Sequence, residues 1–351
     1  MPLEQSEKFF PGKRAFMSLL KVEELSVGFR NNRELVEIID KVSFEIGRGE
    51  ILALVGESGC GKSAACLSLT RLNAGSAVVS GKGVLFETRE GKQVDLLEVS
   101  PKEMRKIRGK EIAYIFQEPL SSLNPVFRIG DQIAEVLELH RRDVKDSCAE
   151  IVRLLGAVGI PDPEARMMNF PHELSGGMQQ RVMIAMALAG DPSLIIADEP
   201  TTALDVTIQA QIMELLEELR RTRGSSIILI THNFGVVAQL ADRVAVMYAG
   251  RIVECAGVRE LISSPRHPYT RALLAAVPVL GGESRKLVTI PGQVPAPGDF
   301  PAGCRFCGRC AEQERSFAGR CAKEVPPEVE IAPGHHVRCW KWALEKERRE
   351  P

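Results

Sequence analysis

The stretch Gly56-Glu57-Ser58-Gly59-Cys60-Gly61-Lys62-Ser63 decides the fold. It fits the pattern G-x-x-x-x-G-K-[ST] and directly follows the apolar run Ile51 to Val55, where a buried strand would end. Ala64 to Leu72 then reads as a helix. A loop between a strand and a helix in this order cradles phosphate. Its glycines let successive backbone N–H groups turn toward an anion, Lys62 neutralises β and γ oxygens, and Ser63 offers its hydroxyl to Mg²⁺. The helix beginning near Ala64 adds its positive N-terminal end. A chance glycine-rich turn would lack this framing, so a nucleoside triphosphate is the expected ligand.

A phosphate loop alone fits kinases, GTPases and many ATPases, and later signals narrow the class. In Leu174-Ser175-Gly176-Gly177-Met178-Gln179-Gln180, Ser175 is placed to cap a helix whose apolar residues Val182, Ala185, Met186 and Ala189 recur at helical spacing. Capped N-terminus and Gly-Gly backbone together make a second anion-facing surface. Leu194-Ile195-Ile196-Ala197-Asp198-Glu199 reads as a buried parallel strand that ends in two carboxylates, and a further strand, Ile227 to Ile230, ends at Thr231-His232.

Taken in order, the phosphate loop, Gln117, the Leu174 to Gln180 stretch, Leu194 to Pro200, Ala203-Leu204-Asp205 and His232 resemble the ATP-binding subunit of an ABC transporter. The resemblance implies an α/β P-loop ABC ATPase fold with a parallel-sheet core, an antiparallel β portion and a helical insertion. It implies ATP and Mg²⁺ as cofactors. Ser63, Gln117 and Asp198 would hold the metal, Asp198 through water, and Glu199 would polarise the attacking water as general base. His232 would contact the γ-phosphate, and Gln117 would sense it. Gly56, Glu57, Ser58, Gly59, Cys60, Gly61, Lys62, Ser63 and Ala64 are the expected phosphate contacts. Phe29 lies where this family places an aromatic ring against adenine, although the residue reads equally as strand core. Ser175, Gly176, Gly177, Gln179 and Asp205 would serve the nucleotide of a second subunit, because two such subunits face head to tail and complete each other's sites.

Organisation and composition agree. At 351 residues, one main domain with appendages is expected. Residues 1–18 read as a flexible N-terminal extension that includes a second start at Met17, 19–257 as the ATPase domain with a helical insertion at about 120–171, and 258–351 as a C-terminal extension. In the insertion Ile129, Ile133, Val136 and Leu137 share one helix face, and Ile151, Leu154, Leu155 and Val158 another. Ile208, Ile212, Leu215, Leu216 and Leu219 mark a further helix, with Glu217 and Arg221 expected to pair on its exposed side. Lys and Arg number 45 against 46 Asp and Glu, which gives no electrostatic reason for a nucleic-acid surface. No apolar stretch approaches bilayer-spanning length, so a soluble, cytoplasmic chain is expected, with any membrane path on other polypeptides; the resemblance implies that it sits peripherally at the cytoplasmic face of the inner membrane.

Longer strings narrow the resemblance. Ser121 to Val126, Thr201 to Gln211 and His267-Pro268-Tyr269-Thr270-Arg271-Ala272-Leu273-Leu274 are similar to the dipeptide, oligopeptide and nickel uptake class, in particular its D-type subunit. That implies an F-type paralogue as the second ATPase, two membrane permeases and an extracytoplasmic binding protein. Peptide is the expected cargo, with nickel or another small solute as the alternative. A soluble ABC ATPase acting on ribosomes or nucleic acid is the rival from another class, and neither a zinc-hook coil nor a second cassette supports it. The His-Pro-Tyr stretch itself reads as an amphipathic tail helix without a role in choosing the substrate.

Nine cysteines complete the reading. Cys304, Cys307, Cys310, Cys321 and Cys339 crowd a Pro- and Gly-rich tail that shows no obvious apolar core, and an odd number of thiols in a cytoplasmic chain favours metal over disulfides. The class shows a G-C-x-F-x-x-R-C…C…C tail, which selects Cys304, Cys310, Cys321 and Cys339 for a [4Fe–4S] cluster; Cys307 is an addition in this chain. Zinc is the alternative, with His335 and His336 as further ligands, and unmetallated thiols are the third reading. Cys66, Cys148 and Cys255 read as small apolar side chains. Cys60 stands beside a helix N-terminus, which would favour its thiolate, or is a passive filler.

Overall fold

The computed structural model describes residues 18–31, 34–201, 206–276, 290–312 and 317–349. The expected N-terminal extension, apart from Ser18, and Asp205 lie outside the described residues. Ile51–Val55, Leu194–Asp198 and Ser226–Ile230 are buried along their whole length, which matches their unbroken apolar sequence and marks strands covered on both faces. They lie in an eight-stranded sheet. Its order is Glu328–Ala332, His335–Arg338, Arg251–Gly257, Arg243–Tyr248, Ile51–Val55, Ser226–Ile230, Leu194–Asp198 and Ile112–Ile115. The last five run parallel.

A separate antiparallel sheet is built on the long strands Ser18–Asn31 and Glu34–Gly47, joined by Ala77–Ser80, Gly83–Glu87 and Gln93–Asp95. One apolar core joins it to the main sheet: Leu25, Ile39 and Phe86 pack in a cluster with Leu52, Leu54 and Leu69, the last on the helix Lys62–Leu69. On the other face a second core gathers the helices. Ile129, Ile133 and Leu137 of Ile129–His140, and Ile151, Leu154 and Leu155 of Ser147–Ala157, pack there with Val182 and Ala185 of Gly176–Ala189. Asp146 caps its helix by accepting from Ala149 N at 3.0 Å.

Several local readings change. Glu217 pairs with Arg220 at 3.5 Å, one residue short of the expected Arg221. Arg220 also donates to the Gly49 carbonyl and to Asp242, tying helix Val206–Arg223 to the start of the phosphate-loop strand. The C-terminal extension returns to the main sheet, where Glu254 pairs with Val337 and Cys255 with His336. It also has the apolar core that its composition concealed: Cys307, Cys321, Trp340 and Ala343 are buried together, with Phe317 and Val329 packed against them.

An ionic triad locks that return. His335 is fully buried, with Nε2 2.8 Å from Glu254 and Nδ1 3.0 Å from Glu260. Glu254 also accepts the backbone N–H groups of Arg266 and His267. Burial pulls His335 down, but the two carboxylates outweigh it and hold its pKa above the ordinary 6.5. Burial likewise pushes Glu254 up, yet His335, Thr270 and the backbone donors keep it below 4.5. The His335 contribution to stability is therefore complete below pH 6.5 and is lost as pH climbs through its raised folded value. The Glu254 contribution is present above pH 4.5 and is lost as pH falls through its lowered value. Docking of the tail is expected to be firmest between these limits. Limited proteolysis across pH should show cleavage beyond residue 300 accelerating on the alkaline side. His335→Ala should cost about 3–5 kcal/mol by stranding Glu254 and should abolish that alkaline limb; an unchanged pH profile would show that the triad does not hold the tail.

Candidate active site

Four parallel strands end side by side and set out the chemistry. Ile51–Val55 runs into Gly56, Leu194–Asp198 ends on its own carboxylate before Glu199, Ser226–Ile230 delivers Thr231 and His232, and Ile112–Ile115 leads to Gln117. Leu54 pairs with Ile230, Ile230 with Asp198, and Ala197 with Ile115, so the four ends are level. Carboxyl ends of an open parallel sheet are where such folds bind ligands.

The loop has the backbone a phosphate cradle requires. Gly56 has φ 154° and Gly61 φ 101°, and a Cβ would strike the Met247 carbonyl oxygen at the first and the Ile39 side chain at the second. Ser58 and Gly59 form the exposed tip, while Ala64 is half-buried in the helix. Lys62 is 6% exposed, and its Nζ donates to the carbonyls of Gly56 at 2.8 Å and Glu57 at 3.0 Å. The ammonium is thereby held against the loop that would receive the phosphates. Ser63 hydrogen-bonds the Asp198 carboxylate, joining the loop to the acidic strand end. Burial raises the Asp198 pKa, and the Ser63 bond and the Lys62 charge pull it back only in part. A buried carboxylate beside a hydroxyl is a hard oxygen donor set that suits Mg²⁺.

Glu199 leaves the strand abruptly. Its φ of 44° is left-handed, a conformation costing about 1–3 kcal/mol for a non-glycine residue, while its N–H still bonds the Ile230 carbonyl at 2.9 Å. The turn brings the carboxylate between two neighbours: Oε2 accepts from Gln117 Nε2 at 3.3 Å, and Oε1 lies 3.3 Å from His232 Nδ1. His232 is 67% exposed and Glu199 18%, so the group opens outward on the histidine side. The three residues expected to be catalytic thus converge on one carboxylate.

Other candidates are placed differently. Phe29 is half-buried in the antiparallel sheet, opposite Val36 on one side and Ala77 on the other. Ser175 caps helix Gly176–Ala189 by accepting from Met178 N at 3.4 Å, and Ser175 and Gly176 are exposed at its N-terminus while Gly177 is half-buried. Gln179 is buried, and its Nε2 donates to the carbonyls of Pro171 and Leu174, so it braces the turn that precedes the helix. The thiolate expectation for Cys60 is corrected: the side chain is 1% exposed, and burial pushes its thiol up despite Lys62. Among the remaining thiols, Cys66 and Cys255 are buried as expected, but Cys148 is exposed.

The ABC transporter family pattern matches residues 39–202, and the pattern for the oligopeptide/dipeptide transporter C-terminal region matches 253–321. The chain is 47% identical to the oligopeptide transport ATP-binding protein OppD of Bacillus subtilis over 92% of its own length and 88% of that protein's. The chain belongs to the ABC transporter family. A second B. subtilis relative, the oligopeptide transport ATP-binding protein AppD, is 46% identical over 93% of this chain and 98% of that one. A solved dimeric ATP-binding cassette in a post-hydrolysis state, bound to ADP and Pi, superposes with a TM-score of 0.60 at 25% identity, covering 68% of this chain and 99% of that one. As an ABC ATPase the protein hydrolyses ATP with Mg²⁺. Among the described residues, no helix is long and apolar enough to cross a membrane.

The extension of this ABC ATPase reaches the nucleotide loop, a feature that the sequence reading missed. Tyr269, on the tail helix read above as having no role in choosing the substrate, accepts from Glu57 N at 2.9 Å. Arg309 grips the Glu57 carboxylate with both guanidinium nitrogens, at 2.7 and 3.0 Å. Cys304, Cys307, Cys310, Cys321 and Cys339 line one small cavity, of about 10 Å³, with His267, Phe306 and Trp340. Burial pushes Cys304 up to about 12 and Cys339 to about 11, so both are neutral thiols near pH 7. Among the described residues, no three His, Cys, Asp or Glu side chains are placed to hold a single metal ion. His335 and His336 point to Glu254, Glu260 and Glu328 and are not zinc ligands here.

Proposed function

We propose that this chain energises the import of dipeptides or oligopeptides. It would pair head to tail with an F-type paralogue beneath two permeases at the cytoplasmic face of the membrane, and an extracytoplasmic binding protein would deliver the cargo. The observation that carries the reading is one chain joining an ABC ATPase domain to an extension of the oligopeptide/dipeptide type. An exposed apolar surface supports the permease contact. Val126, Phe127 and Met168 are exposed on two segments joined by Ile129 N to Asn169 O and Gly130 N to Met167 O, a short distance along the chain from Gln117. A shift at Gln117 would be passed to this surface through the stiff Pro119 to Pro125 connection. Proteins copurified from gently solubilised membranes test the proposal. Two integral membrane subunits and a second ATPase are the expected result, whereas ribosomes or DNA would overturn it.

Hydrolysis follows from the residues. Glu199 accepts the proton of the attacking water as the water oxygen bonds the γ-phosphorus and the β–γ bridging bond breaks. Gln117 and His232 fix the carboxylate that does this. Lys62 and the loop N–H groups bind and orient the phosphates, and Ser63 with Asp198 would hold Mg²⁺, which supplies neutralisation of phosphate charge. Ser175, Gly176 and Gly177 would close the site of the partner subunit.

The cysteine cavity is proposed to hold a [4Fe–4S] cluster through Cys304, Cys310, Cys321 and Cys339, with Cys307 as substitute. Convergence of the thiols on one cavity supports this, and a four-iron cluster spreads its thiolates over separate irons, whereas one tetrahedral zinc draws them together. Protein purified without oxygen should be brown and contain about four irons per chain. Cys321→Ser with Cys339→Ser should lose the colour while ATP binding survives; colourless, iron-free protein with an ordered tail would remove the cluster.

A further inference from the structure

We infer that Arg309 is a positioning residue of the ATP site, holding the phosphate loop through Glu57 and cancelling the charge which that side chain brings. Glu57 is an awkward residue to find there. A carboxylate on a loop that receives a triphosphate adds a like charge beside several others, and it lowers affinity unless a cation neutralises it. Lys62 is not that cation, since its Nζ is directed to the carbonyls of Gly56 and Glu57.

Arg309 answers the charge from 252 positions away in the chain, with a fork of two parallel N–H to carboxylate bonds. Its Nη1 also reaches the Tyr248 hydroxyl at 3.2 Å, and its Nε donates to the Pro291 carbonyl at 2.8 Å. The side chain is buried, so the pair is poorly screened by solvent. Tyr269 adds a backbone hold: its hydroxyl takes the Glu57 N–H, which turns that N–H out of the cradle and leaves phosphate binding to the others. Tyr269 packs on Tyr248 with ring centroids 4.6 Å apart, and Phe306 packs on both. Glu57 is therefore fixed at backbone and carboxylate by one unit that belongs largely to the extension. Loss of Arg309 would free the loop and leave a negative charge unpaired beside the ATP phosphates.

The test uses the purified full-length chain, with its partner ATPase when turnover is measured. Arg309→Ala should raise the Kd and KM for ATP about tenfold and lower kcat far less. Arg309→Lys, which retains the charge without the fork, should recover most of the affinity. The deciding variant adds Glu57→Gln to Arg309→Ala: with the unpaired carboxylate gone, ATP affinity should return to within about threefold of the native value. A merely structural Arg309 would lower the melting temperature and would not be rescued by Glu57→Gln. Where Arg309→Ala folds poorly, Arg309→Gln, neutral and still hydrogen-bonding, gives the same comparison. Native ATP affinity in the neutral variants, or a double variant no better than the single one, would overturn the inference.

Discussion

Glu199→Gln is expected to bind ATP normally and to lose about two to four orders of magnitude in turnover. The amide keeps the shape of the carboxylate and still offers an oxygen to Gln117 Nε2, so the local geometry survives. What disappears is the ability to take a proton from water. Gln117 and His232 both contact Glu199, and its left-handed backbone is a cost that the fold carries at this strand end. With the proton acceptor gone, the ATP-bound pair should accumulate closed. Size measurement with and without ATP, in the presence of the partner subunit, shows this as an ATP-dependent shift. Hydrolysis at the native rate would remove Glu199 from the catalytic role.

Ser175→Arg should abolish hydrolysis, by at least about a hundredfold, while the isolated chain still binds ATP. Its hydroxyl caps its own helix through Met178 N, and its exposed position places it for a neighbour. An arginine would remove the cap and crowd the surface offered to the partner's nucleotide. Lys62→Ala should act differently. Removing a buried ammonium from its own loop weakens binding itself, about 10- to 100-fold for a charged hydrogen-bonding group. Equal loss of ATP affinity in the two isolated variants would contradict a site shared between subunits.

Sequence sufficed for the parallel core and for bringing Gln117, Glu199 and His232 together because the deciding signals are local. A fully apolar five-residue strand, a glycine loop and a lysine stand together from Ile51 to Ser63, and the carboxylates close the next such strand at Asp198 and Glu199. Parallel pairing then brings Gln117 and His232 to the same edge with no further information needed. What stayed hidden depends on distant pairing. Nothing in the pattern of His335 to Arg338 says that it joins Arg251–Gly257, and the buried His335 triad exists only once it does. Arg309 enters the sequence only as the R of the G-C-x-F-x-x-R-C pattern, and its pairing is invisible there because its partner Glu57 lies in another segment. Of the two readings of Cys60, the buried filler agrees with the structure: a helix terminus favours a thiolate, but burial outweighs it and pushes the thiol up. Arg220 was preferred over Arg221 because it also meets the Gly49 carbonyl and Asp242, neither of which a helical wheel contains.

ATP-driven uptake of isotopically labelled peptides by the reconstituted complex tests most directly whether hydrolysis in this chain powers import. Proteoliposomes should hold the two permeases, both ATPases and the binding protein, with the binding protein and a mixture of short peptides supplied on its own side and ATP on the other. Peptide should accumulate with the native chain and fall to background when Glu199→Gln replaces it. Accumulation at the native rate with Glu199→Gln, or ATP hydrolysis with no peptide moved by the native complex, would contradict the role assigned to this chain.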